Sequence, residues 1–480
     1  MLTDPPGPRQ SPQPRGPSSC SCHTSATHLS SACQNPAVID SGSTAWMLAA
    51  TGLVMLMTPG LALFYGGMVR TRAVLNMMMT TFVCLGVVGV LWVAYGWSLA
   101  FGSDSFGGLV GGFSAAGMRH LDTAVIGTGA SAVPTGVFAM FQLMFAVVTV
   151  ALLAGAIAER VRFWPWTLFV AVWVTLVYVP EAHWVFAIDG AVAPDAVGGW
   201  IANRLHALDF AGGTAVEINS GASALALALV VGKRRGWPRD PVRPHNLPFV
   251  LVGAGLLWFG WFGFNAGSAL GATATAGTAL VATMLAGSAA VLSWLVVEQI
   301  RDGRPTSLGA ASGAVAGLVG ITPACAYVEP LGAVAIGLAA GAICAFAVRL
   351  KFRFGFDDSL DVVAVHGVGG LVGMLLLGVL ASTATNPAGA EGLLYGGGFA
   401  QLGRQAVAVA AVLAYSFVVT ALIAWVVART VGLRVDREVE VEGVDEAEHA
   451  ESGYDFSPLA AGASTRRAGE TLLAGRRPER

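Results

Sequence analysis

Apolar segments long enough to cross a lipid bilayer follow one another along most of this chain. About 20 consecutive apolar residues make a helix that spans the hydrocarbon core of a membrane. Only helices and closed barrels satisfy their backbone polar groups inside lipid, so the pattern predicts an all-helical membrane protein. Eleven transmembrane helices are predicted, over residues 45–64, 74–101, 136–158, 166–186, 214–231, 247–270, 277–300, 308–323, 331–350, 362–380 and 406–428.

The charge content excludes several classes of protein. Charged residues make up 12% of the 480 residues, about half the share usual in soluble domains. The basic residues stand in short scattered groups, which does not favour a nucleic-acid partner. The six cysteines lack metal-ligand spacing and do not predict a disulfide framework. Without a nucleophile motif, a metal cluster or a nucleotide loop, we expect neither an enzyme nor a cofactor.

The basic residues also predict how the chain crosses the membrane. Linkers after the odd-numbered segments are rich in Arg and Lys, whereas the even-numbered linkers hold only Arg119, Arg204 and Arg404. Positive charge marks the cytoplasmic side. With eleven spans, the N-terminus is then expected outside and the C-terminus in the cytoplasm. The basic linker residues are Arg70, Arg72, Arg160, Arg162, Lys233, Arg234, Arg235, Arg239, Arg243, Arg301, Arg304, Arg349, Lys351 and Arg353.

Composition divides the chain into four regions. Residues 1–43 are rich in Pro, Ser and Gln and are predicted to be a disordered tail. Residues 44–429 form the predicted transmembrane domain. Residues 430–456 are acidic and are expected to lie in the cytoplasm, whereas residues 457–480 are predicted to be disordered.

Two ionisable residues, Glu217 and His366, fall inside predicted spans five and ten. Each follows an aspartate (Asp209 and Asp361) and precedes a run of small residues. An ionisable group within the membrane is costly and often functional. If the first ten helices form two inverted five-helix halves, these spans correspond, and their side chains meet near the midplane. The alternative is two separate buried groups, each satisfied by neighbouring backbone.

Aromatic residues cluster toward the outer ends of spans three, four and six. The clearest stretch is "LLWFGWFGFNAGSALG", residues 256–271, in which aromatic side chains precede a small polar run. An aromatic belt at the membrane interface explains such a cluster. A cage that binds a small cation through its ring faces is the other explanation.

Long strings around these residues resemble the ammonium transporter family (Amt/Mep/Rh). They include "TPGLALFYGGMVR", "LDFAGGTAVEINSG", "RPHNLPFVLVGAGLLWFGWFGFNAGSA", "DDSLDVVAVHGVGGLVG" and "TVGLRVDREVEVEGVDEAEHAESGY". They occur in the family's order and cover residues 44–456. The resemblance implies a homotrimer of eleven-helix protomers in the plasma (inner) membrane, each protomer with its own narrow pore.

The resemblance also implies roles at the outer mouth of that pore. Phe145 and Phe264 match the stacked phenylalanines that close the pore from outside. Ser268 matches the serine of the ammonium recruitment site, and Phe141 matches an aromatic beside it. Phe186 stands where the recruitment tryptophan usually lies. Because phenylalanine lacks the indole N–H, we expect a weaker outer ammonium site.

Deeper in the pore, His366 matches the second member of the family's paired histidines. Glu217 stands where most members carry the first histidine, as in one subset of fungal members. Asp209 matches a structural aspartate below the recruitment site. Asn265 and Thr322 match neighbouring positions, for which a structural role near the site is implied.

These matches predict a transporter of ammonium or ammonia. Ammonium is expected to lose its proton near the phenylalanine gate, while the proton passes through Glu217 and His366. The acidic tail is expected to regulate the pore, to pack under a neighbouring protomer and to bind a PII-type signalling protein. Two alternatives stay open: an ammonium sensor that transports little, and a channel for neutral gas.

Overall fold

Eleven apolar helices dominate the computed structural model, which describes residues 39–455 except 120, 122–124, 128, 192–194 and 241. The predicted disordered termini therefore lie outside the described residues, apart from the short stretch 39–43. The eleven helices are α1 Ser41–Met68, α2 Val74–Phe101, α3 Thr135–Ile157, α4 Phe163–Phe186, α5 Gly213–Val231, α6 Leu247–Gly267, α7 Ala274–Asp302, α8 Ser307–Ile321, α9 Pro330–Phe354, α10 Val363–Leu380 and α11 Ala400–Thr430.

Ten of these helices are long and apolar enough to cross a membrane. Each predicted segment coincides with a helix, but α8 has only 15 residues. At about 1.5 Å per residue it is shorter than the hydrocarbon core. The predicted segment 308–323 ran past the helix end, because Thr322 and Pro323 begin a series of turns that leads to α9. The structure thus establishes an all-helical membrane fold with about ten long spans.

Short elements occupy the loops. Two strands of two residues each, β1 (Val125–Ile126) and β2 (Val133–Pro134), pair as an antiparallel hairpin beside the start of α3. Other helical turns lie in the described loops at Ala116–Met118, Gly129–Ser131, Ile201–Leu205 and Leu393–Tyr395.

Polar side chains fix where several helices begin. Asp40 accepts a hydrogen bond from the backbone N–H of Ser43 at 2.6 Å and caps α1. The first helix therefore starts at Ser41, and the predicted boundary between residues 43 and 44 falls within its first turn. Asn246 and Thr306 cap α6 and α8 in the same way.

Glycines let helices that are distant in the chain approach closely. At Gly253 of α6, an added Cβ would lie 2.4 Å from the backbone nitrogen of Phe64 on α1. At Gly221 of α5, it would lie 2.2 Å from the Cα of Gly367 on α10. Since lipid offers little hydrophobic drive for helix association, such backbone approach is the usual means of tight packing. Helices five positions apart in the chain, α1 with α6 and α5 with α10, are thereby paired.

The acidic segment after α11 folds as two short helices, α12 (Arg437–Glu442) and α13 (Val444–His449). Its carboxylates cap two long helices whose own preceding residues supply no side-chain cap. Asp445 accepts from the backbone N–H of Leu75 (3.0 Å) and of Asn76 (2.8 Å), and Glu448 accepts from that of Phe163 (2.9 Å). The segment thus docks on its own chain, at the starts of α2 and α4. Contact with a neighbouring protomer stays a prediction.

Candidate functional site

Glu217 and His366 meet inside the helix bundle. The carboxylate Oε2 of Glu217 lies 2.7 Å from Nδ1 of His366. Both side chains are buried, with 0% and 3% of the residue exposed. Within the described part of the chain, the second carboxylate oxygen, Oε1 of Glu217, has no hydrogen-bond partner. The predicted proximity of the two residues is confirmed, whereas their role as a proton relay stays a prediction.

Local unwinding at two helix starts presents these side chains. Glu217 lies in a wide, π-helical turn at Gly213–Ile218, and His366 lies in another at Val363–Val368. Turns of this kind are rare and are frequent at functional sites. Just beyond them, the backbones of α5 and α10 touch at Gly221 and Gly367. The runs of small residues that follow Glu217 and His366 in the sequence therefore serve to bring the two side chains together.

An aspartate eight residues before Glu217 and another eight before His366 hold the unwound turns. Asp209 accepts from the backbone N–H groups of Gly212 (2.8 Å), Gly213 (2.6 Å) and Thr214 (2.7 Å). Asp358 accepts from the N–H groups of Val362 (3.1 Å) and Val363 (2.8 Å). The structural role implied for Asp209 thus has a counterpart at the start of α10.

Asp361, the aspartate that the sequence shows before His366, does not hold this turn. Asp361 instead forms an ion pair of 2.7 Å with Lys351 and adopts a positive φ of 63°. Burial, together with the neighbouring charge of Asp361, raises the pKa of Asp358 to about 6. The equal eight-residue spacing is the signal in the sequence that identifies Asp358.

Phe145 and Phe264 stack on one side of the Glu217–His366 pair. Their ring centroids are 4.1 Å apart and their planes differ by 28°. Both rings are buried. Offset stacking of this kind is favourable between aromatic rings and leaves little room between them. The arrangement is that of a hydrophobic plug.

Two further phenylalanines surround the plug. The ring of Phe141 lies 4.9 Å from that of Phe145, and the ring of Phe186 lies 6.2 Å from it, both edge-on. Phe145 therefore contacts the other three rings. Phe186 is half-buried, which leaves part of the cluster accessible, whereas Phe141 is fully buried.

Ser268 follows the end of α6, four residues after Phe264. Its hydroxyl donates a hydrogen bond to the backbone carbonyl of Phe264 at 2.8 Å. Since the hydroxyl has one proton, the remaining lone pairs can only accept. The serine thus presents an acceptor, which suits a ligand that donates hydrogen bonds.

Asn265 and Thr322 hold neighbouring helices in place. Thr322 accepts from the indole N–H of Trp261 at 2.8 Å, and Trp261 in turn packs on Phe264 at 5.3 Å. Asn265 donates to the hydroxyl of Thr283 at 2.9 Å. These contacts tie α6 to the end of α8 and to α7. Trp261, which the sequence interpretation did not single out as a site residue, thus packs against the plug.

A narrow, mostly apolar cavity connects the plug with the carboxylate–imidazole pair. Its volume of about 10 Å³ is close to the least that admits a single water molecule. Such surroundings solvate a bare ion poorly, whereas a small neutral molecule enters them at a much lower cost. The cavity is lined by Met57, Leu61, Phe64, Val148, Leu152, Val216, Glu217, Leu257, Trp261, Phe264, Val315 and His366.

Buried charges are paired where the linkers after α3, α5 and α9 meet. Asp357 binds Arg234 at 2.9 Å and lies 3.3 Å from the buried Arg160. Although burial opposes it, the hydrogen bond from Arg234 and the two positive charges hold the pKa of Asp357 below its usual value. These contacts join the linkers after α3, α5 and α9 on one face. Within the described residues, no group of three or more His, Cys, Asp or Glu side chains is placed to hold a metal ion.

Comparisons with known proteins agree with this arrangement. The model of the Ammonium Transporter Family matches residues 45–454. The ammonium transporter of Mycobacterium tuberculosis (strain H37Rv) is 56% identical over 438 residues, which cover 88% of this chain and 91% of that protein. The ammonium transporter Amt1 of Archaeoglobus fulgidus is 44% identical over 416 residues, covering 86% and 99%.

Solved structures show the same fold. The crystal structure of Saccharomyces cerevisiae Mep2 matches with a TM-score of 0.74 at 34% identity, over 83% of this chain and 88% of that one. A structure described as a Sensor Amt Protein matches with a TM-score of 0.76 at 30% identity, over 85% and 98%.

Proposed function

This chain belongs to the Ammonium Transporter Family, and from that premise we propose that it moves ammonium or ammonia across the plasma (inner) membrane through a pore of its own. The observation that carries the proposal is the line formed by the stacked Phe145–Phe264 plug, the apolar cavity and the Glu217–His366 pair.

Recruitment begins at the outer aromatic cluster. Ammonium donates hydrogen bonds in four directions, and Ser268 offers it an acceptor. The phenylalanine cluster that includes Phe186 and Phe141 attracts a cation through its ring faces. Potassium has a similar size and charge but donates no hydrogen bond. The phenylalanine plug then excludes hydrated ions, so that only a species able to shed its proton proceeds.

Proton and ammonia then separate. An apolar lumen solvates the neutral molecule far better than the cation, which favours loss of the proton near the plug. When Glu217 is ionised, Nδ1 of His366 is the donor of their 2.7 Å contact, and Nε2 is the ring nitrogen able to accept a proton. When it does, imidazolium faces carboxylate and the pair becomes neutral, which costs less in a low dielectric than charging an isolated imidazole. Release on the cytoplasmic side restores the pair, and net transport carries charge.

The finer architecture belongs to the same proposal. We infer eleven spans including the short α8, arranged as two inverted five-helix halves plus α11, with the N-terminus outside. The α1–α6 and α5–α10 backbone contacts support these halves. A homotrimer, a cytoplasmic regulatory tail over residues 430–456 and a PII-type partner for it follow from the family. The linkers that hold Arg160, Arg234 and Asp357 then face the cytoplasm.

Electrophysiology on a solid-supported membrane tests the proposal with the wild-type chain and Glu217→Gln. The glutamine keeps the shape of the side chain but cannot form the carboxylate–imidazolium pair. We expect an ammonium-evoked current in the wild type and its loss in the variant. A wild-type chain that accumulates ammonia without current would be a neutral gas channel. One that binds ammonium but moves none would be a sensor, the description that one similar structure carries.

A further inference from the structure

A second carboxylate, Glu181, lies fully buried in α4 and has no part in the transport steps above. Its Oε1 atom lies 2.6 Å from the hydroxyl Oγ of Ser416 on α11. Its Oε2 atom has no hydrogen-bond partner among the residues that the structure describes. An ionised carboxylate with one unpartnered oxygen is expensive in such surroundings. The charge state of Glu181 therefore requires an explanation.

The single hydroxyl proton of Ser416 decides the charge state of Glu181. The hydroxyl Oγ of Ser416 also lies 2.7 Å from the backbone carbonyl of Val412. A hydroxyl has one proton to donate, and neither a carbonyl nor an ionised carboxylate has any. With ionised Glu181, one of the two contacts would place two acceptors face to face. With a proton on Oε1, Glu181 donates to Ser416, and Ser416 donates to Val412, so both contacts are hydrogen bonds.

The groups around Glu181 provide no compensating positive charge. Among the described residues, the ion pairs do not include Glu181. His183, on the same helix, has Nδ1 2.9 Å from the carbonyl of Ala100 and Nε2 3.6 Å from Asp104. Tyr415 of α11 donates its hydroxyl to the carbonyl of Leu176 at 2.7 Å, and Tyr178 is the other titratable neighbour. A buried carboxyl without a cationic partner is more stable as the neutral acid.

We propose that Glu181 is a proton-binding site separate from the Glu217–His366 pair, and that its bound proton fastens α4 to α11 through Ser416.

α4 and α11 each contact a part of the proposed pore. α4 ends at Phe186, whose ring lies against Phe145 of the plug. α11 holds α5, the helix of Glu217, through a hydrogen bond of 2.8 Å between Thr420 and Ser223. Loss of the Glu181 proton at alkaline pH leaves the single proton of Ser416 to two acceptors, Glu181 and the carbonyl of Val412. It also puts an uncompensated negative charge between α4 and α11, which weakens their packing. The outer aromatic cluster then loosens without any change in the pore residues.

Infrared difference spectroscopy on the purified full chain tests the protonation directly. Wild type minus Glu181→Gln at neutral pH is expected to show the carbonyl stretch of one un-ionised carboxylic acid. Glutamine donates from its amide to Ser416 and so replaces the neutral acid. The matched control is Glu438→Gln, an exposed carboxylate on α12, which is expected to remove only ionised-carboxylate bands. Loss of an ionised band in Glu181→Gln overturns the proposal.

Thermal unfolding from pH 4 to alkaline pH tests the coupling. The unfolded chain gives up the Glu181 proton at about pH 4.3, whereas the folded chain keeps it. The two proteins are therefore expected to agree near pH 4, and the wild-type unfolding temperature is expected to fall below that of Glu181→Gln as the pH rises. Parallel curves overturn the coupling. If Glu181→Gln does not fold, Ser416→Ala replaces it: the acid band of the wild type shifts to higher frequency when its hydrogen-bond acceptor is removed, and an unshifted band overturns the assignment. None of these readouts depends on what the protein transports.

Discussion

Glu217 and His366 stand 149 positions apart in the chain, yet Oε2 of one lies 2.7 Å from Nδ1 of the other. The contact is made by two helix starts that unwind in the same manner and cross at glycine backbones. A carboxylate and an imidazole in contact share one proton more readily than either group alone, because each charge state of one stabilises the opposite charge on the other. The pair is therefore best treated as one unit.

Shortening Glu217 by one methylene tests whether transport needs the contact with His366 as well as the negative charge. Glu217→Asp keeps the carboxylate but withdraws it by about 1.5 Å, the length of one carbon–carbon bond. A hydrogen bond to a charged group contributes about 1.5–3 kcal/mol, so we expect the ammonium-evoked current to fall by roughly ten- to a hundredfold. Current measured on a solid-supported membrane at equal protein density checks this. A current equal to that of the wild type would show that proximity to His366 is not required.

Removing one ring of the plug is expected to admit ions. In Phe264→Ala, the stack on Phe145 is lost and the apolar cavity opens to the outer side, so we expect a potassium current in the absence of ammonium. Phe264→Leu, which retains most of the volume, is expected to leak less. Phe259→Ala on the same helix, where the residue is 54% exposed, is the matched control. If Phe264→Ala conducts potassium no better than this control, the phenylalanines do not form the barrier.

The meeting of α5 and α10 depends on the absence of a side chain at Gly221. In Gly221→Ala, the new Cβ would lie 2.2 Å from the Cα of Gly367, and backbone cannot yield as a flexible side chain does. We expect a loss of about 1–3 kcal/mol in the free energy of unfolding, and weaker transport because the Glu217–His366 contact is pulled apart. Thermal unfolding in detergent and uptake by proteoliposomes measure the two effects.

Gly86→Ala provides the control for this substitution. Gly86 lies within α2, where an added Cβ meets nothing within 4 Å. Alanine is favoured over glycine in a helix interior by about 0.5–1 kcal/mol, so this variant is expected to be slightly more stable and to transport normally. Equal effects of the two substitutions would contradict a special role for the Gly221–Gly367 approach.

Much of the fold could be predicted from the sequence because the bilayer imposes length and polarity on each span. Glu217 and His366 were identifiable because ionisable residues are rare in apolar segments. Other features depend on contacts between distant residues. Asp358 was missed because Asp361 stands nearer to His366 in the sequence. The backbone of the unwound turn decides which of the two aspartates caps α10. The capping of α2 by Asp445 was also hidden, since its partners lie some 370 positions earlier.

Asp358 gives the fold a pH dependence whose sign is opposite to that of an ordinary salt-bridged aspartate. Its pKa in the folded protein, about 6, exceeds the ordinary value of 3.8. The folded chain therefore binds this proton more tightly than the unfolded chain, and the stability it contributes is present below about pH 4 and is lost as the pH rises through 6. In Asp358→Asn, no proton is exchanged at this position. We expect the unfolding temperature of the wild type in detergent to decline more between pH 4 and 7 than that of the variant. Asp195→Asn, in an exposed loop, is the control and is expected to follow the wild type. A decline in Asp358→Asn as steep as in the wild type would assign the pH dependence to other groups.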